Sequence, residues 1–201
     1  MKLSIILAHP DKTSFNHALA ARVVNTLKQA GHAIRFHDLY KERFDSHLPA
    51  GEAGRETTLP PAIRRHCREI AEADGIVVVH PNWWGAPPAI LKGWVDRVLR
   101  AGVAYRFVEG DMGEGVPEGL LKARAAIVLN TSNTRAEREF RIFGDPLQRI
   151  WKDCIFALCG VRLFRRRMFG VMVTSTVRQR EAWLREAERL VLKAFPPCRT
   201  D

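Results

Sequence analysis

The chain contains no apolar run long enough to cross a membrane. Its 201 residues are 46% hydrophobic and 27% charged, as in ordinary globular proteins, and its apolar runs fall short of the ~20 residues that a spanning helix needs. The first of them, residues 3–8, is broken by His9 and Pro10 and is too short for the core of a signal peptide. We therefore expect a cytoplasmic protein without a membrane span.

The four cysteines form no CxxC pair and no zinc-ligand spacing with the histidines. Cys154 and Cys159 lie in an apolar stretch, where we expect buried free thiols. The sequence therefore predicts no metal site.

Acidic residues are also in short supply, with 22 Asp and Glu against 32 Lys and Arg, which gives a net charge of +10. The excess is spread along the chain, and the one dense cluster is residues 165–167. No nucleic-acid-binding motif accompanies it. We expect no nucleic acid partner and a basic surface that attracts anionic cofactors.

Short apolar runs alternate with longer amphipathic ones, which is typical of a parallel sheet covered by helices on both faces. Strands are predicted at residues 2–8, 33–37, 75–79, 125–129 and, as a strand or hairpin, 161–173. Helices are predicted at residues 15–30, 63–73, 87–100, 146–158 and 178–195. The pattern predicts one flavodoxin-like, doubly wound five-stranded α/β domain over residues 1–201, in strand order 2-1-3-4-5. Segments 38–61 and 101–122 are predicted to be long functional or interface loops.

Two adjacent tryptophans, Trp83 and Trp84, follow the buried run 75–79 in a loop stiffened by Pro81 and Gly85. The carboxyl ends of parallel strands are where open α/β sheets bind ligands. We expect this loop, including Asn82, to present its rings and the N–H groups of residues 84 and 85 to a flat ligand. The alternative is a packed aromatic pair. Ten residues later, a further tryptophan at position 94 is predicted to be a core or subunit contact.

The turn after the first strand has neither the GxGxxG nor the GxxxxGK[ST] pattern. Instead Thr13 and Ser14 precede a predicted helix, and residues 14–22 contain no acid. We expect the free N–H groups of Ser14, Phe15 and Asn16 to bind a phosphate, helped by the helix dipole. An ordinary helix cap is the alternative.

Polar residues also follow the fourth predicted strand, where Thr131, Ser132, Asn133 and Thr134 occur in succession. At a neighbouring strand end they are suited to hydrogen-bond the pyrimidine edge of a flavin. His9, at the end of the first strand, is either a ligand contact or a structural group.

Together these turns resemble those of the flavodoxin-like NAD(P)H:quinone oxidoreductases. This family includes mammalian and bacterial quinone reductases and the ancillary subunits of glutathione-gated potassium efflux systems. The matching segments are residues 7–9, 13–16, 81–85, 88–94 and 96–98. The likeness covers most of residues 1–200 and is thin in segments 38–61 and 101–122.

The resemblance implies a flavin that passes two electrons as hydride through N5, from NADH or NADPH to a quinone, with donor and acceptor using one pocket in turn (ping-pong). The residues that it assigns to the flavin are His9, Thr13, Ser14, Phe15, Asn16, Pro81, Asn82, Trp83, Trp84, Gly85, Thr131, Ser132, Asn133 and Thr134. It also implies a homodimer, which suits the apolar stripe on helix 88–100. The short C-terminal extension favours FMN, with FAD as the alternative.

The chain departs from the mammalian members in one respect. They use a tyrosine and a histidine after the fourth-strand turn to handle protons, whereas this chain has no histidine after His80 and no tyrosine after Tyr105. Arg135, Glu137 or solvent would have to compensate, so the catalytic residues stay unassigned. Two alternatives are an ancillary flavoprotein that associates peripherally with a membrane transporter through residues 165–167, and a flavin-dependent azo or nitro reductase.

Overall fold

The computed structural model describes residues 1–53, 57–108 and 117–198. The strands within them are β1 Lys2–Leu7, β2 Ala33–Asp38, β3 Gly75–Pro81, β4 Tyr105–Phe107, β5 Pro117–Gly119, β6 Ala125–Thr131 and β7 Leu163–Phe169. The α-helices are α1 Phe15–Gln29, α2 Pro61–Ala71, α3 Ala89–Val98, α4 Ala136–Arg141, α5 Pro146–Arg149 and α6 Val177–Ala194. A 3₁₀ turn covers Ala50–Glu52, and a π-helix covers Ile150–Ala157.

Five of these strands form one parallel sheet in the order β2-β1-β3-β6-β7. Counted along the sheet-forming strands alone, this is the predicted order 2-1-3-4-5, so the fold prediction is confirmed. The central strands β3 and β6 are buried along their whole length, as continuous apolar runs require when helices cover both faces of a sheet.

Each face of the sheet has its own hydrophobic core. One face packs against α1 and α6, and the other against α2, α3 and the π-helix. Trp151 and Phe156 stack within the second core, with ring centroids 5.6 Å apart. They are five residues apart, so the i→i+5 geometry of a π-helix places them on one side. The predicted helix 146–158 is therefore correct in position, but only its start is α-helical.

Helix α3 packs most of its apolar stripe against the rest of the chain. Leu91, Trp94 and Val98 on this stripe are almost completely buried within the chain. Trp94 is thus a core residue, one of the two roles that the sequence allowed. A homodimer remains a prediction, and these three buried side chains are not available to its interface.

Segment 38–61 is long and mostly irregular, as predicted, and its described residues are anchored to α3. The guanidinium of Arg97 donates from Nε to Glu52 (2.9 Å) and from Nη1 to the carbonyl of Asp45 (2.6 Å). Gly93 lets this segment approach closely, since a Cβ there would lie 2.2 Å from the carbonyl oxygen of Ser46. The segment is therefore fixed to the domain by a buried ion pair.

Segment 101–122 was predicted to be irregular, and this prediction is partly wrong. Its described residues include β4 and β5, which pair as a short antiparallel ribbon. The glycines at 110, 113 and 115 lie outside the described residues. Such three-residue strands carry too short an alternation to be recognised from sequence.

Two further expectations need correction. Cys154 is exposed, although Cys159 is buried as expected, because the π-helix turns Cys154 away from the core. Residues 161–173 contain one strand, β7, and no hairpin. Among the described residues, no helix combines the length and apolar character needed to cross a bilayer.

Candidate functional site

Three turns meet at one edge of the sheet because the strands before them are parallel neighbours. Leu7 in β1 is paired with Val79 in β3, and Pro81 at the end of β3 is paired with Thr131 at the end of β6. The turns that follow these strands therefore lie side by side. This is the carboxyl edge of the sheet, where α/β proteins bind ligands.

The turn between β1 and α1 is organised by Asp11, which sequence reasoning missed. Its Oδ1 accepts from the N–H (2.8 Å) and the hydroxyl (2.7 Å) of Thr13. Its carbonyl accepts from the N–H of Ser14 (3.1 Å). The hydroxyl of Thr13 and the N–H of Ser14 are thus used within the turn, and the expectation that this N–H is free was wrong. The Asp-x-Thr spacing, typical of an Asx turn, was the available signal.

Helix α1 begins at an N-cap serine, Ser14, whose Oγ accepts from the N–H of His17 (3.4 Å). No acid occupies the first turn, as predicted, although the carboxylate of Asp11 lies in the turn just before the helix. His9 beside it accepts at Nδ1 from the N–H of Asp11 (3.1 Å). Partial burial lowers the pKa of His9, which favours the neutral ring.

Asn16 joins this turn to the end of β6. Its side chain is almost completely buried, and Nδ2 donates to Oγ1 of Thr131 (2.9 Å). Its Oδ1 is buried and has no hydrogen-bond partner among the described residues. Buried polar atoms are nearly always hydrogen-bonded, so Oδ1 of Asn16 marks a position that a donor on a ligand would complete.

Trp83 and Trp84 stand on a tight turn closed by two hydrogen bonds between Trp83 and Ala86 (3.1 and 3.0 Å). Its central residues, Trp84 and Gly85, have φ of 57° and 71°, as in the type I′ turn. Trp83 is 41% exposed and Trp84 fully exposed, so they are not a packed core pair. The N–H of Gly85, predicted to face a ligand, donates instead to Oδ1 of Asn82 (3.0 Å).

The turn after β6 is held by its own polar side chains. Oγ of Ser132 accepts from the N–H of Thr134 (3.0 Å), and Oδ1 of Asn133 accepts from the N–H of Val173 (3.0 Å). These contacts fix the turn against the segment that follows β7. A contact between these residues and a flavin ring stays a prediction.

The three turns surround a cavity of about 380 Å³. The predicted residues that line it are His9, Ser14, Phe15, Asn16, Pro81, Asn82, Trp83, Thr131, Ser132, Asn133 and Thr134. Asp11 and Met172, which were not predicted, line it too. The structure thus brings most of the predicted site residues to one cavity, which we call the first cavity.

A second cavity of about 590 Å³ adjoins the first, since Asn82 and Thr134 line both. Its remaining lining residues are Trp84, Gly85, Glu139, Phe143 and Pro146. Of the predicted residues, Trp84 and Gly85 therefore belong to the second cavity, and Thr13 lines neither. Glu139, Phe143 and Pro146 were not predicted, because the short helix α4 and the turn after it carry no usable periodicity.

His80 lies beneath the tryptophan turn and supports it. Nε1 of Trp151 donates to its Nε2 (3.0 Å), and its Nδ1 lies 2.8 Å from the carbonyl oxygen of Pro81. An indole N–H can only donate, so Nε2 of His80 is the acceptor and Nδ1 carries the proton. Complete burial lowers the pKa of His80 to about 4. It is a neutral structural group at pH 7.

A separate group of titratable side chains joins β2, α2 and α3. The nearest ligand atoms of His37, Glu42 and His66 lie within 4.8 Å of one another, a spacing compatible with a metal ion. However, Nε1 of Trp94 donates to Nδ1 of His66 (3.1 Å). Nε2 of His66 must then carry its proton and donate to Glu42 (3.2 Å). The nitrogen of His66 that faces Glu42 therefore carries a proton and cannot bind a metal ion. We assign no metal to this group.

The flavodoxin-like fold family matches this chain over residues 1–191. The chain belongs to this family. Proteins named as quinone oxidoreductases are among the relatives of this chain. The resemblance predicted from the three strand-end turns is thereby confirmed.

Several relatives are named as NAD(P)H or quinone oxidoreductases. An "uncharacterized NAD(P)H oxidoreductase" from Haemophilus influenzae is 34% identical, over 83% of this chain and 82% of its own. The ribosyldihydronicotinamide dehydrogenase [quinone] of Mus musculus is 28% identical, over 94% of this chain and 90% of its own. Among solved structures, an NAD(P)H:quinone oxidoreductase from Methanothermobacter marburgensis covers 94% of both chains, with a TM-score of 0.79 and 28% identity.

Proposed function

We propose that this protein is a flavin-dependent NAD(P)H oxidoreductase of the NAD(P)H dehydrogenase (quinone) type, with the flavin in the first cavity and a quinone as acceptor. The names of its relatives support the reaction class. The observation that carries the cofactor assignment is the convergence of three strand-end turns on one polar cavity. That cavity contains the unpartnered Oδ1 of Asn16.

The residues of the first cavity suit the parts of a flavin. The start of α1, at Ser14 to Asn16, has no acid in its first turn and suits a phosphate. The buried Oδ1 of Asn16 is an acceptor for a ribityl hydroxyl. Trp83, 6.1 Å from the ring of His9, provides a flat surface at the cavity mouth. When bound, the flavin would take a hydride at N5 from NADH or NADPH and pass it to the acceptor in a ping-pong cycle.

The second cavity suits the acceptor and the nicotinamide. It adjoins the first through Asn82 and Thr134, and the rings of Trp84 and Phe143 give it aromatic walls. Flat aromatic molecules prefer such walls because stacking adds ~0.5–1.5 kcal/mol to simple burial. The use of one cavity by donor and acceptor in turn is consistent with the ping-pong cycle.

FMN is the preferred cofactor, and FAD is the alternative. A homodimer and a cytoplasmic location complete the proposal. Exposed side chains beside the second cavity, among them Trp84, Phe140 and Phe143, are available to a second subunit.

The basic cluster 165–167 does not support the transporter-subunit alternative, because two of its three side chains form ion pairs within the chain. The side chain of Arg166 is 3% exposed and pairs with Asp145, and Arg167 pairs with Glu186 (2.6 Å). Of the cluster 165–167, only Arg165 is an exposed residue. An azo or nitro acceptor in place of a quinone remains open to the same kinetic test.

The test measures flavin binding by the apoprotein. Titration with FMN and with FAD, followed by quenching of flavin fluorescence, is expected to show saturable binding by the wild type. Asn16→Ala removes the free acceptor and is expected to weaken binding by about 5- to 12-fold, equivalent to one hydrogen bond of ~1–1.5 kcal/mol. Asn25→Ala, an exposed asparagine on the same helix, is the matched control and is expected to bind as the wild type does.

Steady-state oxidation of NADH and NADPH then identifies the acceptor from a panel of quinones, azo dyes and nitroaromatics. A protein that binds neither flavin would refute the proposal. Flavin binding without quinone reduction would retain the cofactor and reject the acceptor.

A further inference from the structure

The second cavity contains a carboxyl group whose role is not explained by the fold. Glu139 is the one ionisable side chain among its lining residues. The others are aromatic, amide, hydroxyl, proline or glycine groups. Glu139 is 1% exposed, so water reaches it only through the cavity.

Glu139 is held by a single neutral donor. Nδ2 of Asn82 donates to its Oε1 (2.9 Å), while Oδ1 of Asn82 accepts from the N–H of Gly85 (3.0 Å). Oε2 of Glu139 makes no hydrogen bond within the described part of the chain. A carboxylate kept only as a structural anion normally collects a cation or several donors. Here one oxygen is fixed by the tryptophan turn and the other remains available.

The proposed reaction needs a proton at this place. NAD(P)H supplies a hydride, that is, two electrons and one proton, and the acceptor quinone needs one more proton to become a hydroquinone. Overall, NAD(P)H, quinone and one proton give NAD(P)⁺ and hydroquinone. The additional proton ends on an oxygen of the acceptor, so its donor must face the acceptor cavity.

We propose that Glu139 is the catalytic acid that carries this proton and delivers it from Oε2 to the acceptor oxygen, a proposal that rests on the proposed function. Asn82 is the positioning residue that fixes Oε1. In the step, the O–H bond at Oε2 breaks and an O–H bond on the acceptor forms. The carboxylate then regains a proton from water when the cavity opens.

Other candidates do not meet these requirements. His80 uses both ring nitrogens, towards Trp151 and the carbonyl of Pro81. Glu137, which the sequence suggested, is exposed and pairs with Arg141 (3.0 Å), and it does not line the second cavity. The sequence-based expectation for proton handling therefore moves by two residues along α4.

The kinetic test compares Glu139→Gln with Glu137→Gln, a matched change on the same helix. Gln at 139 keeps the shape and can still accept from Asn82, but it cannot carry the proton. With saturating FMN, NADH and a 1,4-naphthoquinone, we expect kcat to fall on the order of 100-fold with little change in the KM for the quinone. Any slope of kcat against pH in the wild type is expected to be smaller in Glu139→Gln. Glu137→Gln is expected to match the wild type.

A second readout needs no turnover. 4-Nitrophenol resembles a hydroquinone oxygen, and its yellow phenolate form is visible by absorbance. At a pH near its own pKa, wild type and Glu137→Gln are expected to bind the phenol form, because the carboxyl group shares its proton. Glu139→Gln is expected to bind the phenolate and shift the spectrum to yellow.

Glu139→Asp separates proton delivery from structural support. Delivery predicts partial recovery of kcat and of the pH dependence in Glu139→Asp. Equal loss of flavin binding in both variants, with unchanged kcat per bound flavin, would overturn the proposal, as would wild-type kinetics and phenol binding in Glu139→Gln. If the wild type binds no flavin, the proposed function fails, while the 4-nitrophenol result still decides whether Glu139 exchanges a proton with a cavity ligand.

Discussion

Replacement of Arg166 by methionine tests whether the basic cluster 165–167 builds the site or faces a partner. Arg166 lies on the edge strand β7, and its guanidinium donates to Asp145, to Oδ1 of Asn130 (2.8 Å) and to Oε1 of Gln148 (3.2 Å). Its side chain is 3% exposed and that of Asp145 is 15% exposed. Arg166 thus ties the start of α5 to the end of β6.

The expected loss of stability follows from the charge on Asp145, which the substitution leaves without its partner. Removing one partner of a buried ion pair costs ~3–5 kcal/mol because the other charge stays buried. Since Asp145 retains some contact with water, we expect about 3 kcal/mol for Arg166→Met. For a domain of this size, 1 kcal/mol shifts Tm by ~2–4 °C, so the expected fall is about 6–12 °C.

The assay is thermal unfolding followed by circular dichroism, with urea midpoints as a second measure. Arg165→Met is the matched control, because Arg165 is an exposed neighbour on the same strand, and its Tm is expected to change by less than about 2 °C, as for an exposed position. Arg166→Met combined with Asp145→Asn is expected to recover part of the loss, since no charge is then stranded. Equal and small shifts in both single variants would refute the assignment of Arg166 to the fold.

Two further predictions concern the tryptophan turn and the histidine network. Trp84→Gly relieves a positive φ that costs a non-glycine residue ~1–2 kcal/mol, against ~0.5–1 kcal/mol of added backbone entropy. We therefore expect urea unfolding to show a gain of about 0.5 kcal/mol in the free energy of unfolding, and a loss of stability would contradict the strain argument. The loss of one aromatic wall is expected to raise the KM for a quinone about 3- to 10-fold. Burial alone would raise the pKa of Glu42, but hydrogen bonds from His37 and His66 lower it from 4.5 to about 2. The stabilisation by Glu42 is thus complete above pH 4.5 and is lost as the pH falls towards 2; urea midpoints across this range are expected to vary less in Glu42→Gln, and an unchanged profile would refute the coupling.

The sequence predicts the fold well because the fold depends on patterns that survive without side-chain detail. The continuous apolar runs of β3 and β6 and the stripe on α1 are set by burial on both sides of the sheet. The π-helix could not be predicted, since its evidence is the stacking of Trp151 on Phe156 across five residues. The β4–β5 ribbon is too short to show an alternation.

The candidate site was predictable as far as strand ends determine it. Positions after β1, β3 and β6 converge in any parallel sheet of this order, so Asn16, Trp83 and Thr131 could be placed together from sequence. Which donors remain free could not be predicted, because Asp11 and Asn82 use nearby N–H groups in local turns. Local hydrogen bonds of this kind compete with ligand contacts and depend on side-chain rotamers.

Asn82 lines both cavities and links them through three hydrogen bonds. Its N–H donates to the carbonyl of Thr131 (2.6 Å), its Oδ1 holds the turn at Gly85, and its Nδ2 holds Glu139. An amide has two distinct ends, and here the donor end faces a carboxyl group while the acceptor end faces an N–H, so its orientation is fixed. The conformation of the tryptophan turn and the position of the buried carboxyl group are therefore coupled through one side chain. A substitution that moves the tryptophan turn should therefore also move the carboxyl group of Glu139, and the reverse. This is the physical reason to expect flavin binding and proton delivery to respond together to substitutions at Asn82.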